Sequence, residues 1–282
     1  MIDARSLPAD KRMLVSHLVG RVVLQRCAEV LDPLGIAVMP LKGLWLQHFV
    51  YGPSGARLIT DVDVLVLPER YREAQQGLLR AGWKLRAAEV SESTFFAPGL
   101  GLPLDLHKHL YTRGAFRASA TRIFARGTPD SDAFDCPVML PDPLDVFSHL
   151  VGHALKGAGA WRGNGNELRD IPRLIAEFEL SPQLCAARLQ EDGLTRAARF
   201  VLPLLHSEGS SAAAEILACL PRDPVGVSLE HVVHALWRAH SNGRYAHTVA
   251  GFMLDSSMPR GAYALCLRVM DSISSSRTAH IG

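Results

Sequence analysis

The stretch RLITDVDVLVLPER, residues 57–70, sets two carboxylates into an otherwise apolar run. Five of the six residues from Val62 to Leu67 are Val or Leu, which is the composition of a buried β-strand. Burying a carboxylate without a partner costs free energy, so such groups are normally paired, hydrogen-bonded or bound to a metal ion. We therefore expect Asp61 and Asp63 to have a cation or hydrogen-bond donor beside this strand.

The spacing of the two aspartates predicts their orientation. Because successive side chains of a strand point to opposite faces, Asp61 and Asp63 share one face, and Val62 and Val64 share the other. Two like charges that close destabilise each other unless a cation compensates them or one carboxyl is protonated. A divalent metal is the simplest resolution, since Mg²⁺ prefers carboxylate oxygens together with substrate phosphates. The alternative for an isolated Asp-x-Asp is structural, with one aspartate ending a turn and the other solvated at an edge strand.

Two flanking segments favour a metal-binding site over the structural alternative. LPLDLHKHL, residues 102–110, has one acid, Asp105, in an alternating apolar strand, and a third carboxylate on a neighbouring strand would complete a site for two metal ions. Upstream, AVMPLKGLWL, residues 37–46, passes from strand to helix through Lys42 and Gly43. A helix N-terminus offers free N–H groups and a positive dipole end to a phosphate, Lys42 adds charge, and glycine lets the backbone approach a ligand closely.

Together these motifs resemble the uncharacterised nucleotidyltransferase family of the polymerase-β-like superfamily. Its members carry a strand ending in LKG, an Arg shortly before an Asp-hydrophobic-Asp strand, and later a strand reading Glu or Asp, Leu, His. Here LKG occupies residues 41–43, Arg57 precedes the acidic strand, and LDLH occupies residues 104–107. The likeness extends over roughly residues 35–205. It implies transfer of a nucleoside monophosphate from an NTP, with ATP expected, and Mg²⁺ or Mn²⁺ as the cofactor.

The resemblance also implies roles for individual residues. Asp61, Asp63 and Asp105 are expected to bind the metal ions and to be the catalytic residues. The nucleotide contacts that it implies come from Lys42, Gly43, Arg57, His107 and Asp170. His107 shares the face of Asp105, so it is expected either to orient the substrate or to be a partly exposed strand histidine. The wider superfamily has Gly-Ser at the helix start, where this chain has Lys-Gly, so its phosphate contacts are expected to differ.

A second part of the likeness lies in HALKGAGAWRGNGNELRDIPRLI, residues 153–175. The family pattern of a His, a short gap, and Arg-Asp leading a helix is similar to His153, Arg169 and Asp170. The Gly-rich residues 155–167 lack the terminal Lys-Ser/Thr of a P-loop, so a flexible loop between helices is expected there.

Helix and strand patterns divide the chain at the Pro-rich segment near residue 142. Before it, strands alternate with helices and then follow one another; after it, the patterns are helical, including LEHVVHALWRAH (229–240) and PRGAYALCLRVMDSI (259–273). We therefore predict an α+β fold. A nucleotidyltransferase-like mixed sheet with helices is expected over residues 1–141, and an all-helical C-terminal domain over residues 142–282.

The remaining histidines carry less information. His149 and His153 have the i, i+4 spacing of zinc ligands, yet no glutamate follows His149 as in HExxH, which disfavours a metal role. His231, His234 and His240 lie in an apolar helical pattern and are expected to pack or to face solvent.

Composition excludes several classes of protein. The 282 residues are 48% hydrophobic and 21% charged, which is typical of a globular protein. A net charge of +2 is too small to indicate a nucleic-acid or membrane partner. The five cysteines are scattered without CxxC spacing, which disfavours a disulfide or zinc scaffold and indicates a reducing cytoplasm. The first 20 residues lack the apolar core of a signal peptide.

The leading hypothesis is thus a metal-dependent nucleotidyltransferase whose helical domain closes the cleft and selects an acceptor. Family members are linked to peptide natural-product clusters, so a modified peptide is one candidate acceptor. One alternative is a non-catalytic nucleotide- or partner-binding protein that keeps the fold. Another is a toxin-like transferase that acts on RNA or protein, although the weak net charge disfavours tRNA-sized substrates.

Overall fold

The computed structural model describes residues 8–52, 57–89, 91–111, 115–155, 166–206, 211–223 and 255. The helices in these ranges are α1 (Ala9–Leu31), α2 (Lys42–Phe49), α3 (Tyr71–Arg80), α4 (Ala120–Arg126), α5 (Pro143–His153), α6 (Asn166–Glu177), α7 (Pro182–Glu191), α8 (Thr195–His206) and α9 (Ser211–Cys219). The strands are β1 (Met39–Pro40), β2 (Val62–Leu65), β3 (Lys84–Ala88), β4 (Glu92–Phe96), β5 (Pro103–His107), β6 (Thr128–Asp130) and β7 (Val138–Leu140). Short 3₁₀ helices cover Asp32–Leu34 and Pro68–Arg70.

Five strands form one mixed sheet in the order β1-β2-β5-β4-β3. Strands β2 and β5 run parallel, with Asp63 opposite Asp105, and every other neighbouring pair is antiparallel. The pairing of β4 with β5 sets Thr94 opposite Asp105 and Glu92 opposite His107. The predicted α+β fold with a mixed sheet is confirmed, and the two acidic strands are neighbours in its middle.

Apolar residues fix which face of the sheet is buried. Val62 and Val64 of β2, and Leu104 and Leu106 of β5, have no exposed surface. They pack in one apolar cluster with side chains of α1 and α3. Burial of each such side chain contributes about 1.5–3 kcal/mol, so a shift of register by one residue is strongly disfavoured. The alternate residues, which include the aspartates, are therefore held on the opposite face.

Several boundaries differ from the sequence prediction. Strand β2 begins at Val62, so Asp61 precedes the strand and does not lie within it. Strand β1 has two residues, because Pro40 has no N–H to donate and the chain turns directly into α2. Residues 68–82 begin with Pro and end with Gly, as a helix often does, but they start as a 3₁₀ turn at Pro68 and become α-helical at Tyr71.

Two features were not predicted from the sequence. Helix α4 is capped by Ser119, whose Oγ accepts a hydrogen bond from the N–H of Arg122 at 3.3 Å. Strands β6 and β7 pair into a two-stranded sheet, and the N–H of Met139 donates to the carbonyl oxygen of Val38 at 2.8 Å. That last bond attaches β7 beside β1. Strands β6 and β7 were not predicted because each has only three residues.

The chain divides into two compact units, one of residues 1–110 with 119–142 and the other of residues 111–118 with 143–282. Residues 111–118 belong to the second unit because their backbone is bonded to it. The N–H of Phe116 donates to Asp255 Oδ2 at 2.8 Å, and the N–H of Arg117 donates to the carbonyl oxygen of Asp192 at 2.7 Å.

Helices α5 to α9 make up the regular structure that is described in the second unit. Their core side chains include Phe147, Leu174, Leu189 and Val201, all without exposed surface. The predicted helices at 229–240 and 259–273, His231, His234 and His240, and most of the Gly-rich loop lie outside the described residues. Among the residues that the structure describes, no helix combines the length and apolarity that crossing a membrane requires.

The first prediction concerns His17 of α1, whose residue surface is 5% exposed and whose ring centroid lies 6.3 Å from that of His48. Burial, and then the charge of Arg21, lowers the pKa of His17 below its ordinary 6.5. Between the folded and the unfolded pKa, the unfolded chain therefore binds a proton at His17 that the folded protein does not bind. The free energy of unfolding is unaffected by this residue above pH 6.5 and decreases as the pH falls towards the folded pKa, by at most about 1.4 kcal/mol per pH unit.

Urea unfolding between pH 8 and pH 5 checks this prediction. The free energy of unfolding of the wild type is expected to fall with acidity more steeply than that of His17→Gln, which lacks the titrating ring. Equal slopes for the two proteins would contradict it.

Candidate functional site

Three aspartates of the first unit lie near one another. Asp63 and Asp105 lie opposite each other on β2 and β5, and Asp61 lies just before β2. Asp63 is 4% exposed, whereas Asp61 and Asp105 are partly buried. Burial, and then the charge of Asp63, raises the pKa of Asp61 above its ordinary 3.8, and Asp105 adds to the effect. The aspartates thus form a region of crowded negative charge.

Asp63 has two hydrogen-bonding partners in the structure. Its Oδ1 accepts hydrogen bonds from Lys42 Nζ at 2.6 Å and from His107 Nε2 at 2.8 Å. Burial alone would raise the pKa of Asp63, but Lys42 and His107 outweigh burial and hold that pKa well below its ordinary 3.8. Among the described residues both bonds end on Oδ1, so Oδ2 keeps its lone pairs for a further ligand. The sequence analysis expected a metal ion as the counter-charge and did not foresee these two partners.

Lys42 reaches Asp63 from the start of α2. The N–H of Leu41 donates to the carbonyl oxygen of Asp63 at 2.9 Å, which holds the turn against β2. Lys42 has a φ of +42°, a left-handed conformation that is uncommon for residues other than glycine. Burial alone would lower the pKa of Lys42, but the adjacent Asp63 carboxylate raises it above 10.5, so the ammonium is charged.

Gly43 and Arg57 are in close contact beside Lys42. A Cβ atom at Gly43 would lie 2.7 Å from Arg57 Nη1, so this glycine provides the space for the guanidinium. The N–H of Arg57 donates to Gln47 Oε1 at 3.2 Å, and Gln47 Nε2 donates to the carbonyl oxygen of Gly52 at 2.7 Å. Three residues that the family resemblance assigned to the triphosphate therefore meet at the N-terminus of one helix.

His107 is buried between two carboxylates. Its Nε2 faces Asp63, and its Nδ1 lies 3.1 Å from Glu92 Oε2. Burial alone would lower the pKa of His107, but hydrogen bonds to Asp63 and Glu92 raise it above 6.5. The side chain is 5% exposed, so the expected alternative of a partly exposed histidine is wrong. A nucleotide contact by His107 stays a prediction, and it would require one of the two carboxylate contacts to break.

Glu92 and Thr94 were missed in the sequence. Thr94 Oγ1 donates to Asp105 Oδ1 at 2.7 Å, and Glu92 meets His107, because β4 pairs with β5 in this register. Their spacing of two places Glu92 and Thr94 on one face of a strand, but it does not show which residues they contact.

The donor set fits a hard divalent cation in its chemistry. Asp61, Asp63 and Asp105 offer carboxylate oxygens, which Mg²⁺ and Mn²⁺ prefer, and burial together with the charge of Asp63 raises the pKa of Asp61. Within the described part of the chain, no three His, Cys, Asp or Glu side chains are already arranged to hold a metal ion. The fit to a cation therefore rests on the chemistry of these oxygens and on the pairing of Asp63 with Asp105.

The other residues of the family-like pattern belong to the second unit. Asp170 is buried on α6, and Arg169 Nη2 donates to Asn166 Oδ1 at 2.6 Å. His153 Nδ1 lies 2.8 Å from Glu167 Oε1, and its ring stacks on that of His149 with 5.8 Å between centroids. A nucleotide contact by Asp170 stays a prediction.

Comparison with known proteins identifies the family of this chain. The model of the family described as uncharacterised nucleotidyltransferase matches residues 17–207, which is most of the chain, and the chain belongs to this family. The resemblance stated from LKG, Arg57 and the acidic strands is thereby confirmed. Family membership also confirms the expected enzyme class, a nucleotidyltransferase. A search of curated proteins finds no significant match.

Solved structures with related chain paths include three proteins. An antigenic nucleotidyltransferase-like protein from Paracoccidioides brasiliensis is similar with 17% identity and a TM-score of 0.49, over 73% of this chain and 96% of that one. The antibiotic-resistance factor ANT(2'')-Ia has 12% identity and a TM-score of 0.43, over 70% and 95% of the two chains. A tRNA nucleotidyltransferase with primer tRNA and an ATP analogue has 12% identity and a TM-score of 0.29, over 81% and 74%.

The contact between Gly43 and Arg57 generates the second prediction. In Gly43→Ala the new methyl group displaces the guanidinium from the N-terminus of α2. The family resemblance implies a contact of Arg57 with the triphosphate, so this displacement is expected to weaken Mg-ATP binding by about tenfold or more, as measured by isothermal titration calorimetry.

Gly101→Ala is the matched control, because a Cβ atom there meets nothing within 4 Å. Its affinity should equal that of the wild type. An unchanged affinity of a folded Gly43→Ala protein would contradict the role assigned to this contact.

Proposed function

We propose that this protein transfers a nucleoside monophosphate from an NTP to an acceptor, with a divalent metal bound by Asp61, Asp63 and Asp105. The observation that carries the proposal is the register of β2 and β5, which sets Asp63 beside Asp105. Cationic groups border the same carboxylates, with Lys42 hydrogen-bonded to Asp63 and Arg57 packed on Gly43. Carboxylates next to cations are what a metal–triphosphate complex requires.

The triphosphate is proposed to bind at the start of α2. The free N–H groups of the first helical turn and the positive end of the helix dipole favour an anion there. Lys42 and Arg57 add two positive charges at the same end of the helix, and Gly43 lets the chain approach a phosphate closely. Lys42 would turn from Asp63 to the phosphates, and Asp63 would then be one of the residues that hold the metal.

The proposed cofactor is Mg²⁺ or Mn²⁺. When bound, such an ion activates the acceptor oxygen and neutralises charge on the triphosphate and the departing pyrophosphate. Asp61 supplies an oxygen ligand whose present partner is the Thr60 hydroxyl at 3.4 Å, beyond a normal O–H···O length. Asp105 is held by Thr94 through one oxygen, which leaves the other for the metal or for an acceptor hydroxyl. These residues orient the reacting groups, and positioning supplies most of the rate.

ATP is the proposed donor, and a hydroxyl or phosphate group of a modified peptide is the proposed acceptor. The small net charge of +2 supports a compact acceptor over a tRNA-sized one. One observation favours a second candidate, a nucleotide-binding protein without turnover. Asp63 already has Lys42 and His107 as partners, so its carboxylate is neutralised before any metal binds.

Calorimetric titration of ATP with Mg²⁺ tests the proposal. The wild type is expected to bind ATP more tightly with Mg²⁺ than with EDTA. Lack of metal-dependent binding would refute the transferase. Metal-dependent binding without pyrophosphate release over a panel of hydroxyl and phosphate acceptors would favour the binding protein instead.

Asp61→Asn is the third prediction. The variant removes one carboxylate from the crowded group and keeps the shape of the side chain, so its metal-free form should be at least as stable as the wild type in thermal unfolding. Its Mg²⁺-dependent gain in ATP affinity should fall by on the order of 10-fold or more, because one charged ligand is lost.

Asp132→Asn provides the control, since Asp132 is an exposed residue of the same unit. That variant should match the wild type in both measurements. Equal metal-dependent binding by Asp61→Asn and Asp132→Asn would remove Asp61 from the metal site.

A further inference from the structure

Three neighbouring strands each contribute one residue to a line of hydrogen-bonding contacts across the polar face of the sheet. Asp63 of β2 meets His107 of β5 at 2.8 Å, and His107 meets Glu92 of β4 at 3.1 Å. Both ring nitrogens of His107 therefore face carboxylate oxygens. Glu92, the β4 residue of the line, has a side chain that is 22% exposed.

The sheet register creates this line. His107 lies two residues after Asp105 and so shares its face, which is also the face of Asp63. Strand β4 runs antiparallel to β5 and sets Glu92 directly opposite His107. Directly opposite residues of a strand pair are close enough for their side chains to interact. The contact of Glu92 with His107 thus follows from backbone pairing as well as from side-chain geometry.

We propose that Glu92 is a positioning residue that holds the Asp63 carboxylate, through His107, in the orientation that binds the metal. The inference rests on the proposed metal-dependent function. An imidazole that is bonded at Nε2 alone can rotate about its bond to Cβ, whereas a second hydrogen bond, from Nδ1 to an acceptor, fixes the orientation of the ring. A fixed Nε2–H then holds Oδ1 of Asp63 and directs Oδ2 away from the ring.

When the nucleotide binds, the orientation of Asp63 is expected to depend more on His107. Lys42 and His107 both donate to Oδ1 of Asp63. If Lys42 turns to the triphosphate, His107 is the remaining donor of the pair, and the orientation of Asp63 then depends on Glu92. Asp105 has its own positioning group in Thr94, so the two strands orient their metal ligands by separate contacts.

Mn²⁺ titration followed by electron paramagnetic resonance, with α,β-methylene-ATP present at saturation, tests the proposal. Glu92→Met has a similar length but no acceptor, and it should weaken Mn²⁺ binding by on the order of 10- to 100-fold. Glu92→Gln keeps an acceptor for the Nδ1 proton, so its loss should be smaller than that of Glu92→Met. Glu89→Met, at an exposed position of the same hairpin, should bind Mn²⁺ as the wild type does.

A second measurement uses the metal-free protein. A ¹H–¹⁵N spectrum of the imidazole groups should show a slowly exchanging Nδ1–H resonance, which is assigned to His107 by its absence in His107→Gln. That resonance should be retained in Glu92→Gln and lost in Glu92→Met. Its absence from the wild type would overturn the proposal even if the Met variant does not fold.

The outcomes separate this inference from the proposed function. Wild-type Mn²⁺ affinity in Glu92→Met, with weakened affinity in Asp61→Asn, would overturn the positioning role and leave the metal site standing. A wild type that binds no Mn²⁺ with the ATP analogue would overturn the proposed function, and the positioning role with it. A graded loss, largest in Glu92→Met and absent in Glu89→Met, supports both.

Discussion

The buried carboxylate of Asp63 is the group on which the rest of the site depends. At 4% exposure it has little water to solvate its charge, so the protein must supply donors. Lys42 and His107 do so from two different elements, the start of α2 and the end of β5. Removing either donor would leave a charge partly unpaired in a low-dielectric environment. The hydrogen bonds that Asp63 requires therefore connect the start of α2, where the triphosphate is proposed to bind, with strands β2 and β5.

Packing of the apolar face of the sheet stabilises the arrangement of polar side chains on the other face. Val62, Val64, Leu104 and Leu106 are fully buried beneath the strands that carry the acids. Their burial fixes the register, and the register fixes which polar side chains meet on the other face. The packing free energy of the apolar side thus offsets the cost of holding the aspartates close together, where burial, and then the charge of Asp63, raises the pKa of Asp61. A site of like charges can persist in the folded protein because the core beneath it does not depend on those charges.

Part of the site was predictable because it consists of local patterns. The Asp-x-Asp spacing indicated a shared face, and the acidic strand with Asp105 indicated a partner strand. LKG and Arg57 pointed to the family that the chain belongs to. Glu92 and Thr94 were not predictable in the same way. Each acts through a residue on another strand, so its role depends on the register of β4 with β5, which no local pattern encodes.

Local patterns were enough to predict the alternation of apolar and acidic residues, the strand-to-helix turn at Lys42 and Gly43, the helical C-terminal character and the family. These are properties of short segments, where period and residue type suffice. The tertiary structure decided which partners neutralise Asp63, where β2 begins relative to Asp61, and that residues 111–118 belong to the second unit. Those outcomes depend on contacts between segments far apart in the chain. Such contacts exist after the sheet has paired and the core has closed, and for that physical reason the linear sequence did not reveal them.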